Sequence, residues 1–288
     1  MAGIIWLASY PKSGNTWLRA FIHTYMFDPD RPLSINELRD YTFGDGFLDQ
    51  YAKVAGKPIA ELGEEEIRAL RPKVHMWLAS HPTDTVFVKT HNVIGNEGGV
   101  PIITPDATAG AIYVVRNPLD IVDSYANHYR LTLDEAVEHV CTAGKVLPGV
   151  PGKKLPDYLG SWWENVRTWT TAPGLRRHVM RYEDMLAKPG PTFRAVVKFL
   201  GLPIVPKRLR KAIDFTSFRE MAGQEEREGG FHELGTGGHS FFRRGEAGAW
   251  RHILSDDQVR RIVEANRDVM AEYGYLDKQG NPVRGAIR

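Results

Sequence analysis

The sequence predicts an α/β fold, with a central, mainly parallel sheet and helices on both faces. Three observations lead there. Apolar runs of strand length recur at Gly3–Leu7, Thr85–Lys89, Gly110–Val115 and Arg177–Tyr182. Most are followed by segments whose apolar residues return at helical spacing. The turns between them carry polar residues, glycine or proline. Strands that alternate with helices in this way form βαβ units, whose crossovers build a parallel sheet.

The first unit of that pattern is the most informative. After Gly3–Leu7 comes Ala8-Ser9-Tyr10-Pro11-Lys12-Ser13-Gly14-Asn15-Thr16-Trp17, and then Trp17, Leu18, Phe21, Ile22 and Tyr25 at helical spacing. A polar loop between a buried strand and a helix presents backbone N–H groups where the helix dipole favours an anion. Gly14 permits close backbone approach, Lys12 adds a charge, and Ser13 and Thr16 add hydroxyls. This is the chemistry of a phosphate cradle; the other reading is a plain turn with a surface lysine. It is not a Walker loop, because Lys12 precedes Gly14 instead of following the glycine-rich run.

Residues 28–84 are first irregular, punctuated by Pro29, Pro32, Gly44, Gly46, Gly56 and Pro58. Glu64 to Leu78 then has helical character. Tyr41, Phe43, Phe47 and Tyr51 in the irregular part either line an apolar pocket or pack a long loop. The second strand ends in Lys89-Thr90-His91-Asn92, and ligands of open α/β sheets bind beyond strand carboxyl ends. His91 has the basicity to take a proton near neutral pH, or it packs at a strand end. The third strand runs into Arg116-Asn117-Pro118, with Pro118 suited to a first helical turn and Ser124 two turns on. Arg116 suits fork-like binding of phosphate oxygens or a surface ion pair.

Pro148, Gly149, Pro151 and Gly152 mark a loop, and Tyr158 to Trp169 reads as a helix whose aromatic residues pack. The strand Arg177–Tyr182 leads into Glu183-Asp184, and Pro189 opens a helix stopped by Gly201 and Pro203. From Gly223 to Gly248 the chain is too glycine-rich for a regular element, so this stretch closes over a ligand or makes a loose excursion. Arg243-Arg244-Gly245 near its end favours an anion. Ser255-Asp256-Asp257 caps a last helix, and its acidic pair reads as dipole compensation, not metal ligation.

Composition narrows the function. The chain has 288 residues, 42% hydrophobic, with a net charge of +2, which does not suggest a nucleic-acid binder. One cysteine, Cys141, excludes an intramolecular disulfide framework and a cysteine-based zinc site. No signal peptide and no stretch of membrane-spanning length is visible, so a cytoplasmic protein is expected.

Taken together, the motifs resemble the soluble sulfotransferases that use 3′-phosphoadenosine 5′-phosphosulfate, small bacterial members in particular. Four segments match in the family's order: Tyr10–Trp17, Lys89-Thr90-His91, Val115-Arg116-Asn117-Pro118 with Ser124, and Arg243-Arg244-Gly245-Glu246-Ala247-Gly248-Ala249-Trp250. Tyr182-Glu183-Asp184 and Thr216-Ser217-Phe218-Arg219-Glu220-Met221 match weaker signatures. Asn15, Arg244 and Ala249 depart from residues common in the family. The resemblance implies one domain over 1–288, with a three-layer core like that of P-loop nucleotide kinases and a closing loop at about 223–248.

It also implies roles. Lys12, Ser13, Gly14, Asn15 and Thr16 would hold the 5′-phosphate. Arg116, Ser124, Arg243, Arg244 and Gly245 would hold the 3′-phosphate. Trp17 and Phe218 would sandwich the adenine, with Tyr182 at its edge and Thr216 in the same nucleotide-binding set. His91, Lys12 and Lys89 would be catalytic, and no metal would be required. The donor leaves as adenosine 3′,5′-bisphosphate. The acceptor would be a small molecule, with local aromatic content favouring a phenol or other flat natural product over a charged polysaccharide. Neither nucleic acid nor membrane is an expected partner, and oligomeric state is open. A kinase, or a nucleotide-binding module without chemistry, would be the alternatives.

Overall fold

The computed structural model describes residues 3–81, 85–232 and 240–283. In chain order the strands are β1 (Ile4–Ser9), β2 (Phe43–Gly44), β3 (Val86–Thr90), β4 (Asn96–Glu97), β5 (Val100–Pro101), β6 (Thr108–Val115), β7 (Val146–Leu147), β8 (Asp157–Tyr158) and β9 (Arg177–Arg181). The helices are α1 (Asn15–Phe27), α2 (Leu38–Tyr41), α3 (Leu48–Ala55), α4 (Glu64–Ala79), α5 (Pro118–Tyr129), α6 (Leu133–Cys141), α7 (Trp162–Thr171), α8 (Tyr182–Ala187), α9 (Pro189–Phe199), α10 (Pro206–Phe215), α11 (Phe218–Arg227) and α12 (Asp256–Glu272).

The expected parallel sheet flanked by helices is present, in the order β2-β3-β1-β6-β9. β1 pairs β3 with Ile4 opposite Val86 and Ala8 opposite Thr90, and Gly44 lies opposite Lys89. All six residues of β1 are buried. A strand covered on both faces has no polar side to alternate with, which explains the run Ile4-Ile5-Trp6-Leu7.

The chain divides into two compact units. The first comprises Met1–Tyr10, Thr42–Tyr113 and Thr142–Arg177. Its core holds Trp6, Tyr113, Trp162 and Trp169, all fully buried. Each indole of the Trp6–Trp169 pair satisfies its N–H: Trp6 donates to Thr108 Oγ1 and Trp169 to the Asn92 carbonyl, both at 2.8 Å. The aromatic helix starts at Trp162, later than the sequence suggests. Gly160 takes a left-handed φ of 64°, and Ser161 with Glu164 forms the capping box. Tyr158 belongs instead to the antiparallel β7–β8 pair.

The second unit comprises Pro11–Tyr41, Val114–Cys141 and His178–Arg288. α1 is buried from Asn15 to Tyr25, and its Phe21 stacks on Phe193 of α9 with ring centroids 4.1 Å apart. Tyr25 donates to the Pro203 carbonyl (2.6 Å) and accepts from Val205 N–H (3.0 Å), fixing the entry to α10. α10 has no counterpart in the sequence reading; its exposed face is charged, and Arg208 and Lys211 pair with Asp28 past the end of α1. α11 carries Gly223 within a helix capped by Ser217, so the irregular stretch begins after Arg227 and not at 223. Residues 233–239 of the expected closing loop lie outside the described residues. Burial pushes the half-buried Cys141 thiol, at the end of α6, up to about 11.

α12 starts at a capping box in which Gln258 N–H donates to Ser255 Oγ (3.3 Å) and Ser255 N–H to Gln258 Oε1 (3.0 Å). Ser255→Ala should therefore lower stability by about 1 kcal/mol. Urea unfolding at constant m-value would measure it, and an unchanged midpoint would show that the cap contributes nothing.

Candidate active site

The loop between β1 and α1 has an unusual backbone. Lys12 and Gly14 lie at positive φ, 67° and 100°, while Ser13 between them does not. Alternating hand turns successive N–H groups to one side, forming a concave anion nest. The N-terminus of α1 adds its dipole, and its cap, Gly14, offers no side chain to satisfy the first N–H groups. Gly14 is required twice over: by its φ, and because a Cβ there would sit 2.7 Å from Tyr182 Cδ2. Lys12 takes a conformation that costs a non-glycine residue energy, and Arg116 Nη1 secures it by donating to the Lys12 carbonyl at 2.9 Å.

Arg116 leaves the end of β6 and places its guanidinium carbon over the Tyr182 ring, 4.2 Å from the centroid. Tyr182 in turn meets Trp17 edge-on, with centroids 6.0 Å apart. Lys12, Gly14, Trp17, Arg116 and Tyr182 thus form one cluster in the second unit. Within it Ser13 Oγ and Trp17 Nε1 are buried without a partner among the described residues. Buried polar atoms are nearly always satisfied, and here the donors, the nest and the cations fit the phosphates of a nucleotide.

The segment Arg243 to Trp250 is held nearby in the same unit. Arg243 and Arg244 lie 3.3 Å and 3.7 Å from Asp123 Oδ2 on α5, one residue before the half-buried Ser124. Asp120, one turn earlier, accepts from Gly248 N–H (2.8 Å) and Trp250 N–H (3.2 Å). Gly245 has a φ of 63°, and its missing Cβ would fall 2.3 Å from the Phe218 ring. The Lys12 ammonium sits over the Phe241 ring at 3.5 Å, and Glu225 accepts from the N–H groups of Phe241 and Phe242. Thr216 is buried and donates to the Ala212 carbonyl (2.7 Å), closing α10.

Glu183 supports both Asn117 and Tyr275. It accepts from Asn117 N–H and from the Tyr275 hydroxyl, each at 2.9 Å, and burial pushes its carboxyl above the usual range. Asp120, Asp123 and Glu225 escaped the sequence reading. The signal for the first two was present, as carboxylates at helical spacing on the face beside Ser124.

His91 and Lys89 lie in the first unit. Lys89 is half-buried at the end of β3. His91 Nδ1 lies 2.8 Å from the Ser9 carbonyl. A carbonyl oxygen only accepts, so Nδ1 carries the hydrogen and the neutral ring keeps its lone pair on Nε2. Asn165, fully buried, donates to the His91 carbonyl (2.9 Å) and the Leu159 carbonyl (2.8 Å) while accepting from the Tyr113 hydroxyl (2.7 Å). The ring and its backbone are therefore both fixed.

A family model described as sulfotransferase domain matches residues 3–274, segments of both units. The flavonol 3-sulfotransferase of Flaveria bidentis is 24% identical over 271 residues, covering 90% of this chain and 78% of the relative. Cytosolic sulfotransferase 1 of Arabidopsis thaliana is 26% identical, covering 89% and 75%. Among solved structures, mouse sulfotransferase SULT7A1 complexed with PAP superposes with a TM-score of 0.61 at 23% identity, covering 94% of this chain and 84% of the other, which establishes likeness of fold.

Two outcomes follow from the geometry. Gly14→Ala should destabilise the protein by at least about 1–3 kcal/mol, read in chemical denaturation, and an unaltered midpoint would mean the loop relaxes freely. Glu183 holds its proton to higher pH folded than unfolded. Its ionisation therefore lowers stability as pH rises from the ordinary carboxylate range through the raised folded value. Glu183→Gln should flatten that decline, and an unchanged slope in unfolding free energy against pH would remove Glu183 as its source.

Proposed function

The chain belongs to the sulfotransferase family and is an enzyme of sulfuryl transfer from 3′-phosphoadenosine 5′-phosphosulfate; from that premise we propose that it sulfates a hydroxyl or amine of a small molecule, with His91 as general base. The observation that carries the base assignment is the Nδ1–H bond to the Ser9 carbonyl, which leaves the Nε2 lone pair to take a proton. As the acceptor oxygen or nitrogen bonds to sulfur, its proton passes to Nε2, and the bond from sulfur to the donor's bridging phosphate oxygen breaks.

Lys12 stabilises the charge that appears on that bridging oxygen, and Lys89 the sulfuryl oxygens. Positioning and charge stabilisation supply most of the catalysis in the analogous phosphoryl transfer. A sulfuryl group carries less charge than a terminal phosphoryl, so cationic side chains do the work a divalent ion does there. Turnover is accordingly expected to survive chelation with EDTA.

The donor site is the nest of Ser13, Gly14, Asn15 and Thr16 for the 5′-phosphate, and Arg116, Ser124, Arg243, Arg244 and Gly245 for the 3′-phosphate. Trp17, Tyr182, Thr216 and Phe218 serve the adenine. Stacking on aromatic rings suits a base of any sequence. Relatives named for flavonol and 3-beta-hydroxysteroid acceptors support a flat hydroxylated small molecule. Relatives named cytosolic support a cytoplasmic location, and no helix among the described residues is long and apolar enough to cross a membrane. Residues 1–288 make up one sulfotransferase domain.

Titration calorimetry tests the donor reading. Adenosine 3′,5′-bisphosphate should bind tightly without magnesium and ATP weakly. Arg116→Ala should cost roughly 10- to 100-fold in bisphosphate affinity, the scale of a lost charged hydrogen bond. Magnesium-dependent preference for ATP would replace this reading with a kinase. His91→Ala should lower turnover by about 10²–10⁴-fold with bisphosphate affinity retained; equal loss of both would remove the base assignment.

A further inference from the structure

We infer that Asp45 is a positioning residue that holds His91 in the proton-accepting tautomer, an inference that rests on the reading of His91 as general base. Asp45 follows Gly44, which lies opposite Lys89 in the β2–β3 pair, and its side chain is buried. One carboxylate oxygen, Oδ2, accepts from Thr90 Oγ1 at 2.7 Å and from Asn92 Nδ2 at 2.8 Å. Those residues flank His91 on either side. A single buried oxygen therefore clamps both ends of the three-residue segment that carries the base.

The clamp also orders the groups beyond it. A carboxylate only accepts, so the Asn92 amide must present Nδ2 to Asp45 and Oδ1 elsewhere. Oδ1 accepts from Tyr158 N–H at 2.6 Å, and the Asn92 carbonyl accepts from Trp169 Nε1 at 2.8 Å. Thr90 Oγ1, having given its hydrogen to Asp45, accepts from Asn92 N–H at 3.0 Å. The side-chain polar atoms of Thr90 and Asn92 are thereby each given a direction. Asn165 holds the His91 carbonyl from another side. With its backbone fixed, His91 meets the Ser9 carbonyl through Nδ1, and Asp45 acts on the base without touching it. Asp45 itself is held by a third contact, the Tyr51 hydroxyl donating to its carbonyl at 3.4 Å.

Positioning groups of this kind are worth about 10- to 100-fold in rate in comparable settings, since small displacements of a catalytic group are costly. Asp45→Ala removes the acceptor. Asp45→Asn keeps an oxygen that can receive both bonds and should retain most of the effect. Thr90→Val, nearly isosteric, cuts one arm of the clamp and provides a milder test if Asp45→Ala does not fold.

The test is the ¹⁵N spectrum of histidine-labelled full-length protein, with the His91 signals assigned by their loss in His91→Ala. Above its titration range, wild-type His91 should show a protonated Nδ1 and an unprotonated Nε2. In Asp45→Ala, or in Thr90→Val, the two nitrogen shifts should converge as the tautomers mix, and Asp45→Asn should restore the wild-type pattern. Unchanged shifts in both Asp45→Ala and Thr90→Val would overturn the inference. Calorimetry with adenosine 3′,5′-bisphosphate on the same samples keeps the two readings separate. Failure of wild type to bind it condemns the donor site and leaves the tautomer result standing. Normal binding with unmoved shifts condemns only the role of Asp45.

Discussion

Two parallel strands in register bring their carboxyl ends to the same edge of a sheet, and much of the first unit's chemistry depends on that constraint. β1 and β3 pair from Ile4 opposite Val86 to Ala8 opposite Thr90. The next residue on each strand is Ser9 and His91, so the Ser9 carbonyl arrives beside the imidazole as a direct consequence of register. A slip of one residue would turn the side chains of β3 to opposite faces. It would take His91 away from the carbonyl that sets its tautomer. The dense apolar faces of β1, buried throughout, make such a slip costly. Core packing and the base chemistry proposed for His91 are in that sense one specification.

In the second unit the organising charges are negative. Asp120, Asp123, Glu183 and Glu225 each receive either backbone N–H groups or arginine side chains from segments distant in sequence. The site proposed for the donor gathers cations that repel one another and loops with little core of their own. Carboxylates on the rigid α5, α8 and α11 give those loops fixed anchors. Ala249 falls between Gly248 and Trp250, whose N–H groups both reach Asp120. The segment thus draws on a carboxylate supplied by α5.

Much of this was legible in the sequence where the information is local. Strands such as β1 and β6 read as unbroken apolar runs because both their faces are covered. The strand–loop–helix passage from β1 to α1 was readable because the apolar run, the polar loop with Gly14 and the helical spacing are neighbours in the chain. What local reading missed was set by distant partners. α10 is strongly charged and owes its entry geometry to Tyr25, far back on α1. The start of α7 moved to Trp162 because Gly160 and a capping box outweighed the aromatic periodicity that begins at Tyr158. Asp45 carries no motif at all; its meaning comes from two bonds to a strand end more than forty residues away. Gly223 looked like part of a loose stretch, yet the Ser217 cap carries α11 through it.

The single thiol has a practical consequence. Cys141 is held up to about 11, chiefly by burial, and its Sγ lies 3.7 Å from the Arg261 carbonyl. Since the thiolate is the reactive form, very little of it exists at neutral pH. Reagents that alkylate exposed thiols will pass this residue slowly. A cysteine placed on the surface of either unit would consequently take up a fluorophore or spin label almost alone, with the native thiol left in place.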